Sequence, residues 1–545
     1  MNTQTLFPLL VASAITAQML AFSPVSAAAT AEGPGRLVVT YRDNVSALSI
    51  GPSMANSEIL EVGQEDLEAV KAQLESLPGV ARVEEDFWVS NPDMPNAPKL
   101  APSDVVGLSV QSSESTSTQS AIPSDPGFDS QIAWQSPQAG RLGVQDILTA
   151  YFRGAPDNRV RIGVVDSGFY QLTDLTYSQG YNFASADGYG PRYLENEVAS
   201  NCSSAHGTGV SGVLGAITNN GTGIAGIANA EIVAARALSC DSSGRVRGVL
   251  TDTALAIRWL AGDPSVTQAP RLHRPVDVIN ASLGAQVDRC PAYLQEAIDY
   301  AWNRGVLTVV AAGNAGEDAA NMAPANCQRV VTVAAVRASG EVAGFSNTGN
   351  KVNVAALGSD VLSLDRLGRL TFWDGTSFSA PVVAGVAGLL KQSSSEPLAA
   401  ADLKELISST ARLVAQPNGT AIPVVDARAA MDRIQRQSGN RFATLEPFLS
   451  NAKRRPAEAY LQNNPLNVGL DRVFEVTVSG AGLSSSQERF VVFRSTQNGS
   501  KVAIAQSQEP VFLLKNVNPN SDSLWIDICD SNGQNCRFNR SEALL

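Results

Sequence analysis

The chain has 545 residues, of which 44% are hydrophobic and 17% charged, with 44 glycines and 28 prolines. That length and balance describe a globular protein of several domains and exclude a fibrous or intrinsically disordered one. A net charge of −12 excludes a basic phosphate-binding face, and with it nucleic acid as a partner.

Residues 1–27 read as an export signal. "LFPLLVASAITAQMLAF" is an apolar run, and "SPVSA" follows it with Val25 and Ala27 flanking Ser26 in a small-residue cleavage pattern. Pro8, Ser13, Thr16 and Gln18 interrupt the run, so it does not read as a membrane anchor, and no later segment is long and apolar enough to span. The expectation is an exported protein, extracellular or periplasmic, with no membrane span once the signal is removed.

Residues 33–93 read as a small α+β unit. "RLVVTYRD" and "VARVEEDFWVS" are strands. Between them "EDLEAVKAQLESLPG" puts Leu67, Val70, Leu74 and Leu77 on one helical face and stops at Pro78-Gly79. Residues 94–123 are rich in Pro, Ser and Thr without periodicity, the composition of an exposed, cleavable linker.

Residues 124–437 alternate continuous apolar runs with helical ones. "VRIGVVD", "EIVAARAL", "VDVINASLG", "VLTVVAAGN" and "VVTVAAV" are the expected strands. "VRGVLTDTALAIRWLAG", "PAYLQEAIDYAWNRG", "DLKELISSTARLV" and "VDARAAMDRIQR" are the expected helices. Strands apolar throughout, separated by helices, predict an α/β domain with a parallel sheet covered on both faces. Residues 440–545 change character again. "FEVTV", "RFVVFRS", "KVAIAQ", "PVFLLKNV" and "SLWIDICD", with turn signals between them, predict a small all-β sandwich.

The six cysteines are Cys202, Cys240, Cys290, Cys327, Cys529 and Cys536. An even set in an exported chain predicts three disulfides with fifteen possible pairings. Cys529 and Cys536 bracket an Asn532-Gly533 turn, so those two could clip one hairpin. With no C-x-x-C spacing and only two histidines, zinc chemistry is excluded.

Functional groups of open parallel sheets gather beyond the carboxyl ends of strands. Asp166 ends one expected strand, Ser282-Leu283-Gly284 another, and Asn314 a third. Ser377 opens an apolar helix in "DGTSFSAPVVAGVAGLL". His206 precedes Gly207, Gly209 and Gly212, which spell the G-x-G-x-x-G of a dinucleotide turn. That fingerprint must follow directly on a strand, whereas "ENEVASNCSSA" is polar and turn-like, so the glycines read as close packing beneath His206. Singly, each residue has an ordinary structural role as turn former or helix cap. Together they supply a hydroxyl nucleophile, a base, a carboxylate to orient it and donors for an oxyanion.

The motifs "VVDSG", "HGTGVSG", "INASLG", "AAGNAG" and "GTSFSAP", in that order, resemble the subtilisin-like serine peptidases (the subtilase family), over about residues 124–437. The resemblance implies a serine endopeptidase that cleaves proteins or peptides through an acyl-enzyme intermediate. It makes Ser377 the nucleophile, His206 the general base and Asp166 its orienting carboxylate. Asn314 and the Ser377 N–H would form the oxyanion hole, and Ser282, Leu283 and Gly284 a wall that pairs with the substrate backbone. Residues 33–93 would be an inhibitory prosegment in a self-processed proenzyme, and the mature enzyme a monomer.

No cofactor is needed for this chemistry; structural Ca²⁺ is allowed by the resemblance, with no ligand set legible. The resemblance also favours the pairs Cys202–Cys240 and Cys290–Cys327, leaving Cys529–Cys536. Phe378, Gly209 and Val382 depart from commoner residues without removing a catalytic group, and His273 reads as a surface residue. A different class of function stays open at this point: an exported, catalytically inactive binding or adhesion protein that keeps the fold and uses the extra β unit.

Overall fold

The structure is a computed structural model that describes residues 35–42, 57–91, 125–131, 159–195, 204–240, 244–394 and 396–438, together with six strands between residues 458 and 530. The export signal, the linker and the side chains of Cys202, Cys529 and Cys536 lie outside the described residues. Among those residues no helix is long and apolar enough to cross a membrane. They form two compact units that divide between Ile434 and Gln435.

The larger unit is built on a nine-stranded sheet. Its order is Arg412–Ala415, Ala421–Val424, Val354–Leu357, Val330–Val336, Leu307–Ala311, Val278–Ala281, Val160–Asp166, Ala230–Arg236, Tyr177–Asn182. Only the Arg412–Ala415 and Ala421–Val424 pair is antiparallel. The central strands are buried along their whole length, which explains why their sequences read as unbroken apolar runs.

Helices cover both faces. A Cβ on Gly163 would come 2.7 Å from Leu260, at the end of the Leu250–Leu260 helix. A Cβ on Gly388, in the Thr376–Ser393 helix, would come 3.0 Å from Ile162. Ile162 and Gly163 are neighbours on one strand and face opposite ways, so the two helices lie on opposite sides of the sheet. The α/β architecture is as expected.

Two segments differ from expectation. Val246–Val249, anticipated as the start of a helix, is a strand, and the helix begins at Leu250. Arg412–Ala415, anticipated as the end of a helix, is the sheet's edge strand, with Leu413 and Ala415 exposed. Both are short runs whose apolar spacing fits either period, and pairing with a distant strand decides them.

The described residues between Gly35 and Ser90 belong to the same unit. Gly35–Tyr41 lies between Ser57–Val62 and Val80–Glu85, antiparallel to both. Leu67, Val70 and Leu74 of the Leu67–Glu75 helix close the small core over Leu37, Val39, Tyr41, Val80 and Val83, with Leu77 packed at its edge. The Ser57–Val62 strand is an addition to the predicted elements. The expected last strand is two: after Val80–Glu85 the chain leaves this sheet, and Trp88–Ser90 pairs with Val246–Val249 instead.

This small sheet docks by its carboxylates on two helix N-termini. The Ala292 N–H of the Ala292–Asn303 helix donates to Glu84 at 2.8 Å. Thr251 donates its N–H to Asp86 at 3.0 Å and its hydroxyl at 2.5 Å. Neither helix has a side-chain cap of its own, and a carboxylate there satisfies orphan N–H groups and complements the helix dipole. Burial pushes the Asp86 carboxyl up, against the pull of Arg36 at 3.3 Å. Burial likewise lifts Asp252 to about 7, again opposed by Arg36.

The second unit contains two three-stranded antiparallel sheets. Asp471–Ser479 lies between Glu458–Val468 and Val511–Lys515, and Glu488–Ser495 between Lys501–Ser507 and Leu524–Asp530.

Candidate active site

Val160–Asp166, Val278–Ala281 and Leu307–Ala311 are adjacent parallel strands, so the residues that follow them emerge together at one end of the sheet. Asp166 is fully buried and accepts from the Ser167 N–H at 2.7 Å. His206, the first residue of the His206–Gly215 helix, sets Nδ1 2.8 Å from Asp166 Oδ1. The helix can approach because position 207 has no side chain: a Cβ there would lie 2.2 Å from the Ser167 carbonyl. The Gly207 N–H donates to that same carbonyl at 2.8 Å. The glycine pattern therefore serves packing against the Asp166 turn. Phe378 meets the imidazole edge-on at 5.4 Å and stacks on Trp373.

Ser377 is the second residue of the Thr376–Ser393 helix, behind Gly375 at φ 142°, a backbone state that favours glycine. Asn314 is held beside it by one end of its amide. Its Oδ1 accepts from the Thr376 N–H at 2.9 Å and from the Thr376 hydroxyl at 2.8 Å. Its Nδ2 is buried with no hydrogen-bond partner. Orphaned buried donors are rare, and one fixed by its own carbonyl is preorganised for an acceptor that arrives during reaction.

Ser282 braces the start of the Ser377 helix from the other side. Its Oγ accepts from Asn280 Nδ2 at 2.9 Å and donates to the Ser377 carbonyl at 2.8 Å. Ser377 Oγ in turn donates to the Ser282 carbonyl at 3.4 Å. Thr376, Asn280 and Gly375 were missed as contributors: the Thr376–Asn314 bonds span a long sequence gap, and neither the Asn280–Ser282 bond nor the φ of Gly375 is marked by a local pattern.

Extended polypeptide already lies in this site. Trp88–Ser90 pairs antiparallel with Val246–Val249 on one side. On the other, Ser90 and Gly284 exchange both N–H···O bonds at 3.1 Å. Val89 is wholly buried there. The next residue, Asn91, brings its Nδ2 to 2.6 Å from Asp166 Oδ1 and 2.5 Å from His206 Nδ1.

Met322 fills the space between two backbone walls of the site. A Cβ on Gly284 would meet its Sδ at 2.8 Å, and one on Gly313 its Cε at 3.1 Å. Leu283, the middle residue of the predicted wall, is buried. Glu317 and Asp318 are exposed, and Asp318 accepts from the Ala320 N–H at 2.9 Å. His273 is exposed and 2.9 Å from Gln179.

Cys290 and Cys327 form a disulfide with Cα atoms 5.0 Å apart, and Cys240 is also disulfide-bonded. Among the described residues no group of three or more His, Cys, Asp or Glu is placed to hold a metal ion. Asp125 and Asp174 approach one loop, but N–H groups of Asn219, Asn220 and Ile224 and the Asn220 amide already occupy their oxygens. This donor-saturated set does not fit a cation, and no step below is routed through one.

Comparisons with known proteins agree with this geometry. The pattern of the subtilase family matches residues 157–440. An extracellular protease of Xanthomonas campestris pv. campestris is 31% identical over 465 residues, 77% of each chain. Thermitase of Thermoactinomyces vulgaris is 33% identical over 53% of this chain and 91% of its own. The solved structure of a protease from Pseudoalteromonas arctica aligns with a TM-score of 0.51 and 32% identity, covering 57% of this chain and 99% of that one.

Proposed function

Because this chain belongs to the subtilase family and is a serine endopeptidase acting on proteins or peptides, we propose that Ser377 is its nucleophile, His206 its general base and Asp166 the carboxylate that orients the imidazole. The Ser377 hydroxyl attacks a peptide carbonyl while His206 Nε2 takes its proton. Asp166 holds the Nδ1–H and stabilises the imidazolium. The oxyanion is met by Asn314 Nδ2 and the Ser377 N–H. His206 then protonates the leaving amine, and water releases the acyl group by the same steps in reverse. No cofactor takes part.

The observation that carries this reading is the strand Trp88–Ser90, hydrogen-bonded on both sides and ending beside His206. A site that already pairs with extended backbone is suited to a peptide substrate. The same strand supports reading residues 33–93 as an intramolecular inhibitor, removed by self-cleavage in the linker beyond it. Relatives named extracellular and the apolar run before residue 28 support export and removal of the signal. We take the mature enzyme to act as a monomer, which sedimentation of the secreted form tests. The test of processing is N-terminal sequencing of that form beside His206→Ala: a single new N-terminus beyond residue 93 is expected for the parent and none for the variant.

Asn314→Ala should separate stabilisation of the oxyanion from substrate binding. Removing the equivalent donor in subtilisin lowers kcat by roughly 10²–10³, and that known scale is expected here. KM should hardly move, because the donor meets charge that develops only in the transition state. Steady-state kinetics on a peptide anilide check this; a loss confined to KM would remove Asn314 from the oxyanion hole.

A further inference from the structure

We propose that Met322 sets the specificity of this peptidase: its thioether restricts the substrate residue whose carbonyl is attacked to a small side chain, alanine or glycine above all. The inference rests on the triad assigned above.

The register of the tail strand locates that residue. Ser90 lies opposite Gly284 and exchanges both hydrogen bonds with it. In an antiparallel pair each step forward on one strand is a step back on the other. A substrate laid down in the same way brings the residue two places further on opposite Ser282. The Ser282 carbonyl is 3.4 Å from Ser377 Oγ, so it is this residue's carbonyl that the hydroxyl reaches. With the carbonyl oxygen turned to Asn314 Nδ2, the α-carbon stands between the Ser282–Gly284 run and the Gly313-Asn314 turn. Its side chain has the space between those two walls.

Gly284 and Gly313 leave both walls bare, an arrangement that by itself makes room for a large group. Met322 takes that room. A Cβ on Gly284 would come 2.8 Å from its Sδ and 3.1 Å from its Cγ, and a Cβ on Gly313 would come 3.1 Å from its Cε. One side chain therefore reaches from one wall to the other.

The base of Met322 is fixed. Met322–Ala323 pairs with Ala285–Gln286, and the Asn326 N–H donates to the Met322 carbonyl at 2.7 Å. Asn326 Nδ2 donates to the Val287 and Ala320 carbonyls at 3.0 and 3.1 Å, and the Cys290–Cys327 disulfide ties the same two runs a few residues on. Only the side-chain torsions remain free. A thioether is soft and yields partway, so exclusion is graded with size. A methyl group asks little of it, whereas a leucyl or phenyl group must displace the thioether or strain the packing around it.

The test uses the secreted enzyme, its active sites counted with a fluorophosphonate, and peptide anilides identical except for Ala, Leu, Phe or Arg at the residue bearing the anilide. For the parent, kcat/KM should fall from Ala to Leu to Phe. The Ala-over-Phe ratio should be about 10- to 200-fold, the span over which one methylene more or less in an apolar pocket discriminates. Met322→Ala should bring Phe level with Ala or above it, and Met322→Leu, close to methionine in volume, should keep the preference for Ala. These are ratios within one protein and do not depend on how much of it folds. A parent that cleaves after Leu, Phe or Arg as fast as after Ala overturns the proposal, and that measurement needs no variant. A ratio left unchanged in Met322→Ala overturns Met322 as its cause. Cleavage of these anilides by Ser377→Ala overturns the triad instead, so the two failures are distinguishable.

Discussion

Replacing Ser377 with alanine is expected to leave a full-length protein that never sheds residues 33–93 and takes up no serine-directed fluorophosphonate. The proposed nucleophile is a single hydroxyl, and no neighbour can stand in for it: Thr376 has its hydroxyl on Asn314 and Ser282 has its own on the Ser377 carbonyl. Removing the serine or histidine of subtilisin costs about 10⁶-fold in kcat; that known scale is adopted here, since nothing in this structure derives it. The fold should be kept, because alanine fits wherever serine does. Labelling that survives the substitution would reassign the nucleophile.

Asp166→Asn is expected to cost about 10⁴-fold in kcat, the loss known for the same change in chymotrypsin-type triads. An asparagine would keep the shape; turning its NH₂ end to His206 gives up the bond from the Ser167 N–H, which meets the same oxygen of Asp166 as His206 does. Its NH₂ end, turned to His206, would present a donor where an acceptor is required. The imidazole would then sit in the tautomer with its proton on Nε2. Raising pH should not restore the rate, because no titration converts an amide into an acceptor-only group. Substantial activity in Asp166→Asn, measured beside uncleaved Ser377→Ala as a zero, would mean that another carboxylate orients the base.

How much of this was legible depended on the range of the signal. Val160–Asp166 and Leu307–Ala311 could be read because strands buried on both faces need apolar side chains at every position. The candidates Asp166, His206, Asn314 and Ser377 stood out because their motifs come in an informative order, three of them beside glycines. The fate of Val246–Val249 could not, since its partner is Trp88–Ser90, more than a hundred residues earlier in the chain. The anchoring of Asn314 by Thr376 was equally hidden. So was the position of Met322 between Gly284 and Gly313, because the sequence does not record which loops face each other. Asn91 is an unremarkable residue in a linker-like "SNPD" until its strand is laid against Gly284.

The carboxylates of Glu84 and Asp86 have a consequence for the history of the molecule. Two helices begin on groups that belong to a segment the enzyme is inferred to discard. A helix start is the costly part of making a helix, so these contacts matter more to reaching the fold than to remaining in it. Maturation would then run in one direction: the processed chain keeps its shape through slow unfolding, a lifetime and not an equilibrium. After dilution from denaturant, uncleaved Ser377→Ala should regain its circular dichroism while the processed enzyme does not; equal recovery by both would show that the lost caps leave no memory.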